Sequence, residues 1–152
     1  MPEGVAVPTP SGTLLAFDFG EKRIGVAIGN TVSCTARPLT TLSEERNAQR
    51  FAAIAALIQE WQPAALIVGL PCNEDGSPHE LTRLCRRFAN RLKERYRLPV
   101  LQVDERYTSA VASSLLKGAG IRGIAQKPLL DQVAAQQILQ SYLDEPASGL
   151  AA

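Results

Sequence analysis

The sequence predicts one mixed α/β domain around a five-stranded sheet, on three observations. Three short apolar runs stand close together near the start, separated by connectors that hold Gly20 and Gly29-Asn30, as strands joined by hairpin turns would be. After Glu44 the apolar residues change to helical spacing. Two further apolar runs then sit singly between helical stretches, an order that calls for strand–helix–strand crossovers and hence parallel pairing.

The elements follow in order. Leu14–Phe19, Arg23–Gly29 and Cys34–Leu42 read as three antiparallel strands. Glu44–Gln62 reads as a helix with Phe51, Ile54, Ile58 and Trp61 on one face, stopped by Pro63. Ala64–Leu70 is continuously apolar, as a strand buried on both faces would be. The loop PCNEDGSP leads to a helix from His79 to Tyr96, with Leu81, Leu84, Cys85, Phe88 and Leu92 toward the core. Pro99–Val103 is the last strand and ends at Asp104-Glu105. Thr108–Lys117 reads as a third helix with Thr108 as its N-cap, and the glycine-spaced stretch 118–127 as a loop. Pro128 then opens a fourth helix, running to about Leu143, because proline is favoured at the first helical position. Residues 1–12 are expected to be a disordered extension, 13–143 the single domain and 144–152 a disordered tail.

Composition narrows the function classes. At 152 residues and 45% hydrophobic, the chain can bury one real core. A formal charge of +1 gives no global signature of a nucleic-acid binder, so any phosphate-binding surface must be local. Cys34, Cys72 and Cys85 form no C-x-x-C pair, which fits a reducing compartment rather than a disulfide framework. His79 is the only histidine, so neither a zinc site nor a Ser-His or Cys-His nucleophile is expected. No apolar stretch long enough to span a membrane exists, and the start has no signal-peptide pattern; the expected location is the cytoplasm.

Four carboxylates stand out by place. Asp18 lies inside the apolar run of the first strand, Asp104 and Glu105 end the last strand, and Asp131 falls in the first turn of the final helix. Strand C-termini and helix N-termini are where α/β sheets place ligands. Each acid has a structural alternative: Asp131 as a complement to the helix dipole, Asp104 or Glu105 as a turn residue or partner of Arg106, Asp18 as an ion-pair partner of Lys22 or Arg23. Convergent carboxylates repel unless cations neutralise them, and Mg²⁺, with Mn²⁺ as the alternative, suits oxygen ligands and phosphate. Two such ions about 3.5–4 Å apart serve phosphodiester hydrolysis. Strand alternation puts Glu105 with Leu101 and Val103, and Asp104 with Gln102, but does not say which set shares the face of Asp18.

Four motifs occur in order: DFGEKRIGVA, VGLPCNEDGS, VDERYTS and DQVAAQQILQSYL. Together they resemble the YqgF family, also called RuvX or pre-16S rRNA nuclease, and earlier described as Holliday junction resolvases. The resemblance runs from Thr13 to Leu143 and implies an RNase H-like fold. It also implies a two-metal site, falling motif by motif on Asp18, on the Asp104-Glu105 pair with Glu105 preferred, and on Asp131. The implied activity is hydrolysis near the 5′ end of precursor 16S rRNA, with a structured RNA or pre-ribosomal particle as partner. Resolution of four-way DNA junctions and non-catalytic ribosome assembly are the alternatives.

Lys22, Arg23 and Arg106 flank the expected metal site and are candidates for the scissile phosphate. Seven basic residues, Arg83, Arg86, Arg87, Arg91, Lys93, Arg95 and Arg97, fall mostly opposite the apolar stripe of the second helix. They form either a solvated face or a phosphate-tracking surface. Aromatic residues make up 5% of the chain, too few for an extensive base-stacking platform. A D-x-G followed by a hairpin also resembles the phosphate loop of the actin and sugar-kinase superfamily, which needs two such domains. The sequence does not set the oligomeric state.

Overall fold

Each apolar run becomes a strand in the computed structural model, which describes residues 10–20, 22–43, 46–70, 80–104, 126–146 and 149–151. The strands are β1 Thr13–Phe19, β2 Ile24–Asn30, β3 Thr35–Leu42, β4 Ala65–Leu70, β5 Val100–Asp104 and β6 Leu150–Ala151. They form one sheet in the order β3-β2-β1-β4-β5-β6. β1 pairs antiparallel with β2 and parallel with β4, and β4 pairs parallel with β5, as the crossover order requires. The sheet has six strands rather than the five expected. β6, drawn from the segment read as a disordered tail, pairs antiparallel with β5. A two-residue strand held by backbone pairing carries no side-chain periodicity to read.

The helices are α1 Asn47–Trp61, α2 Glu80–Tyr96 and α3 Gln126–Asp144. α1 and α2 end alike: Gln62 (φ 48°) and Arg97 (φ 55°) turn left-handed, and their N–H groups bond the carbonyls of Ile58 and Lys93. α3 starts at Gln126, so Pro128 lies within the first turn rather than opening the helix. Its missing N–H is still one of the four that have no intrahelical partner. The expected loop PCNEDGSP, the expected helix at Thr108–Lys117 and most of the stretch 118–127 lie outside the described residues, as do residues 1–9.

The sheet separates two apolar clusters. Leu15, Phe17, Ile24, Val26, Leu66, Val68 and Val100 pack against Phe51 and Ile54 of α1 and Phe88 and Leu92 of α2. On the other face Leu14, Ala16, Ala27, Ile67, Leu101 and Val103 pack against Ala135, Ile138, Leu139 and Tyr142 of α3. Leu14, Leu15, Leu66 and Ile67 are fully buried, and each such side chain contributes about 1.5–3 kcal/mol. Among the described residues no helix is long and apolar enough to cross a membrane.

A ladder of glutamines ties α3 to the sheet edge at β3. Gln132 Nε2 donates to Thr41 Oγ1 at 3.1 Å, and Gln136 Nε2 donates to the Ala36 carbonyl at 3.0 Å. Gln140 accepts from the Ala36 N–H at 3.1 Å and donates to the Cys34 carbonyl at 3.0 Å. Both backbone groups of Ala36 are thereby satisfied on a strand that, among the described residues, has no neighbour beyond it.

Candidate metal and phosphate site

The site starts from strand alternation. Leu14 and Ala16 belong to the α3-side cluster, so Asp18, two residues on, projects to the same face near the C-terminal end of β1. There it is part-buried and, among the described residues, makes no hydrogen bond or ion pair. The ion pairs with Lys22 or Arg23 that would have given it a structural role are not formed.

Asp131 is brought to it by a missing side chain. Gly25 on β2 is the register partner of Asp18. A Cβ at Gly25 would lie 2.0 Å from the Asp131 carbonyl oxygen and 2.9 Å from the Asp131 Cβ. The helix backbone therefore occupies the space a side chain at Gly25 would need, and Asp131 sits beside Asp18. Asp131 is the sixth residue of α3, beyond its first turn, which holds no acid. The dipole explanation weakens accordingly, since that field fades within the first turn.

The two carboxylates perturb each other. Burial first, and the negative charge of Asp131 second, push the Asp18 carboxyl up to about 7 from its ordinary 3.8. Asp131 is partly compensated, because Arg23 Nε donates to its Oδ2 at 2.7 Å. The sequence placed Arg23 near phosphate; the structure shows it engaged through Nε, while among the described residues its terminal nitrogens have no partner. Lys22 is exposed in the turn just before it.

At the end of β5 the structure fixes the face of Asp104 alone. Leu101 and Val103 share the cluster of Leu14 and Ala16, whereas Val100 packs in the opposite one. Asp104, in phase with Val100, therefore points to the far face and is exposed. Glu105 and Arg106 lie outside the described residues. Between β1 and β5 runs β4, whose Ala65 and Ile67 face α3; Gly69 is next in phase and puts no side chain on that face. The backbones of β1 and β5 are thus two strand spacings apart, about 10 Å, with Gly69 between them. Sequence reading missed this role of Gly69 and that of Gly25, although each interrupts an apolar run.

Hard oxygen donors, one of them part-buried without a partner and proton-bound to about pH 7, fit a divalent cation that would take the place of that proton. Among the described residues no third acid or histidine joins Asp18 and Asp131.

A family model described as "RuvX: Holliday junction resolvase" matches residues 12–145. A protein of Methylobacillus flagellatus named "Putative pre-16S rRNA nuclease" is 59% identical over 148 residues, 97% of this chain and 100% of the relative. A protein of Chromobacterium violaceum with the same name is 56% identical over 137 residues, 90% of this chain and 100% of the relative. Among solved structures, RuvC of Thermus thermophilus in complex with a Holliday junction substrate superposes with a TM-score of 0.55 at 15% identity, covering 93% of this chain and 99% of that one. At that identity the likeness concerns the fold alone, which is the RNase H-like fold expected from the motifs.

Proposed function

The chain belongs to the RuvX family, and from that premise we propose that it is a divalent-metal-dependent endonuclease hydrolysing phosphodiester bonds of structured RNA in the cytoplasm. The substrate that the names of its relatives point to is precursor 16S rRNA, and the motif resemblance implies a cut near its 5′ end. The observation that carries this reading is Asp18, a part-buried carboxylate with no partner among the described residues, forced against Asp131 by the close approach at Gly25.

In this reading Asp18, Asp131 and Glu105 hold Mg²⁺, or Mn²⁺ in its place. When bound, the ions supply charge stabilisation at the attacking and leaving oxygens of the phosphodiester. The protein's own part is placement. β1 fixes Asp18 in the middle of the sheet, and the Arg23 Nε bond orients Asp131. The terminal nitrogens of Arg23, with Lys22 and Arg106, offer cationic donors to the scissile phosphate as its charge builds up. The test is cleavage of a precursor 16S rRNA fragment in Mg²⁺ by the wild type and by Asp18→Asn. A loss of at least about a hundredfold is expected, and equal rates would overturn the mechanism.

The family description favours a second reading, resolution of four-way DNA junctions. Paired incision needs two sites and hence a dimer. A monomeric protein that leaves synthetic four-way junctions uncut in Mg²⁺ excludes it.

A further inference from the structure

Phe19 directly follows Asp18 and, by alternation, projects to the other face of the sheet. There β1, α1 and α2 enclose a cleft of about 190 Å³. Among the described residues its walls include Phe19, Arg50, Leu84, Arg87, Phe88 and Arg91, with three arginines and no acid. The floor is aromatic: the Phe19 and Phe88 ring centres are 4.8 Å apart, and those of Phe51 and Phe88 are 6.2 Å apart. Phe19 and Leu84 remain partly exposed to the opening.

The cations are placed rather than scattered. Arg50 is only 4% exposed; its Nη2 donates to the Gly20 carbonyl at 2.9 Å, and its guanidinium lies 5.6 Å from the Phe19 ring centre. Arg87 and Arg91 are one helical turn apart on α2 and, among the described residues, form no ion pair. Like charges at that spacing repel each other and are relieved by an anion between them. Other cations of the same helix are used internally: Arg95 stacks 4.2 Å from the Phe51 ring centre, and Arg83 pairs with Glu80 at 3.1 Å. The basic face of α2 thus holds Arg83 and Arg95, which have partners, Arg86, which lies outside the cleft, and the pair Arg87 and Arg91, which faces it.

We propose that this cleft holds one unpaired nucleotide of the substrate strand, next to the scissile phosphate. The base lies against Phe19 and Leu84, and its phosphate lies between Arg87 and Arg91. The volume is below the roughly 300–1,000 Å³ of sites for drug-sized ligands, which suits one ring system rather than a free dinucleotide. Ring stacking with a cationic rim is sequence-tolerant, so the cleft reads strandedness rather than sequence. A strand crossing the C-terminal end of β1 meets the carboxylates on one face and this cleft on the other. The proposal rests on the nuclease reading for the identity of the strand.

Binding without cleavage separates the two. The full chain carrying Asp18→Asn is titrated in EDTA with a fluorescent single-stranded RNA, and with a blunt duplex, across a range of salt. Adding Arg87→Gln and Arg91→Gln weakens single-strand binding about tenfold. It also lowers the slope of log affinity against log salt by about 0.7, the contribution of the one phosphate that the two arginines share on a single strand. The charge-matched pair Arg83→Gln and Arg86→Gln, outside the cleft, changes affinity less than about twofold. No loss from the cleft pair, equal losses from both pairs, or an equal loss on the duplex would overturn the proposal. As a positional check, RNA bearing 5-iodouridine should photo-crosslink to the peptide containing Phe19 or Phe88; crosslinks confined to other peptides would also overturn it. Cleavage in Mg²⁺ by the chain with an intact Asp18 tests the nuclease reading separately.

Discussion

Asp18 makes the site measurable without a substrate. In the folded, metal-free protein its carboxyl keeps a proton up to about pH 7, against 3.8 for the ordinary group. Between those values the folded chain binds a proton that the unfolded chain has released, so this residue makes stability fall as pH rises from about 4 to about 7 and adds no further slope above that. Asn has no such titration. Asp18→Asn should therefore be more stable than wild type in EDTA at pH 8, by a ceiling of about 4 kcal/mol, with the gap narrowing at pH 5. Urea denaturation at the two pH values measures it, and a gap independent of pH would remove the assigned cause. Mg²⁺ at pH 8 should reverse the order by stabilising the wild type alone. Gly25 gives the second prediction at this scale. In Gly25→Ala the added Cβ would meet backbone atoms of Asp131 at 2.0 and 2.3 Å, and no rotamer change relieves a backbone contact. We expect a loss of about 3 kcal/mol in urea denaturation. RNA cleavage should fall at a temperature where circular dichroism shows the variant folded, because the helix carrying Asp131 has to move.

Among the elements, α3 does more than fill the core. Its glutamines at 136 and 140 satisfy Ala36 on the edge strand β3 and Cys34 just before it through three bonds, at 3.0, 3.1 and 3.0 Å. Replacing both with Ala should cost about 1–3 kcal/mol and leave an open strand edge. Light scattering should then show stronger concentration-dependent association than for wild type; unchanged scattering would mean the edge is protected by other means. The ladder was not legible in the sequence, because glutamines four apart on a helix look like any solvated face until a strand lies beneath them. The first five strands were legible to within a residue or two, since ALIVGL or LLAFDF has only one way to bury its side chains. Asp18 was legible as a charge in such a run. Its lack of an ion pair was not, because Arg23 is close enough in sequence to serve either acid and only the register selects Asp131. The face of Asp104 likewise needed the sheet, since alternation gives relative phase within a strand but not between strands.

In the whole molecule, the sheet keeps two cores apart, and only one of them holds the proposed chemistry. Ile54 of α1 and Ile138 of α3 are both fully exposed to packing and fully hidden from water, one on each side. Truncating either to Ala removes the same atoms and should cost about 2–5 kcal/mol. Their consequences for activity should nonetheless differ. Ile138 lies two turns from Asp131 on the same helix, and its packing against β1, β2 and β4 seats that helix at the distance Gly25 permits. Ile54 supports α1 on the far side, where Phe17 and Val68 pack but Asp18 does not reach. At a temperature where circular dichroism shows both variants folded, Ile138→Ala should lower kcat for precursor RNA at least about tenfold, the penalty of a small misplacement of a reacting group. Ile54→Ala should keep kcat near the wild-type value. The comparison holds residue type, burial and expected stability loss constant, so a difference in kcat can come only from which face of the sheet is disturbed. Equal kcat values for the two would mean that Asp131 is placed by its own ion pair with Arg23, without help from the packing of the helix that carries it.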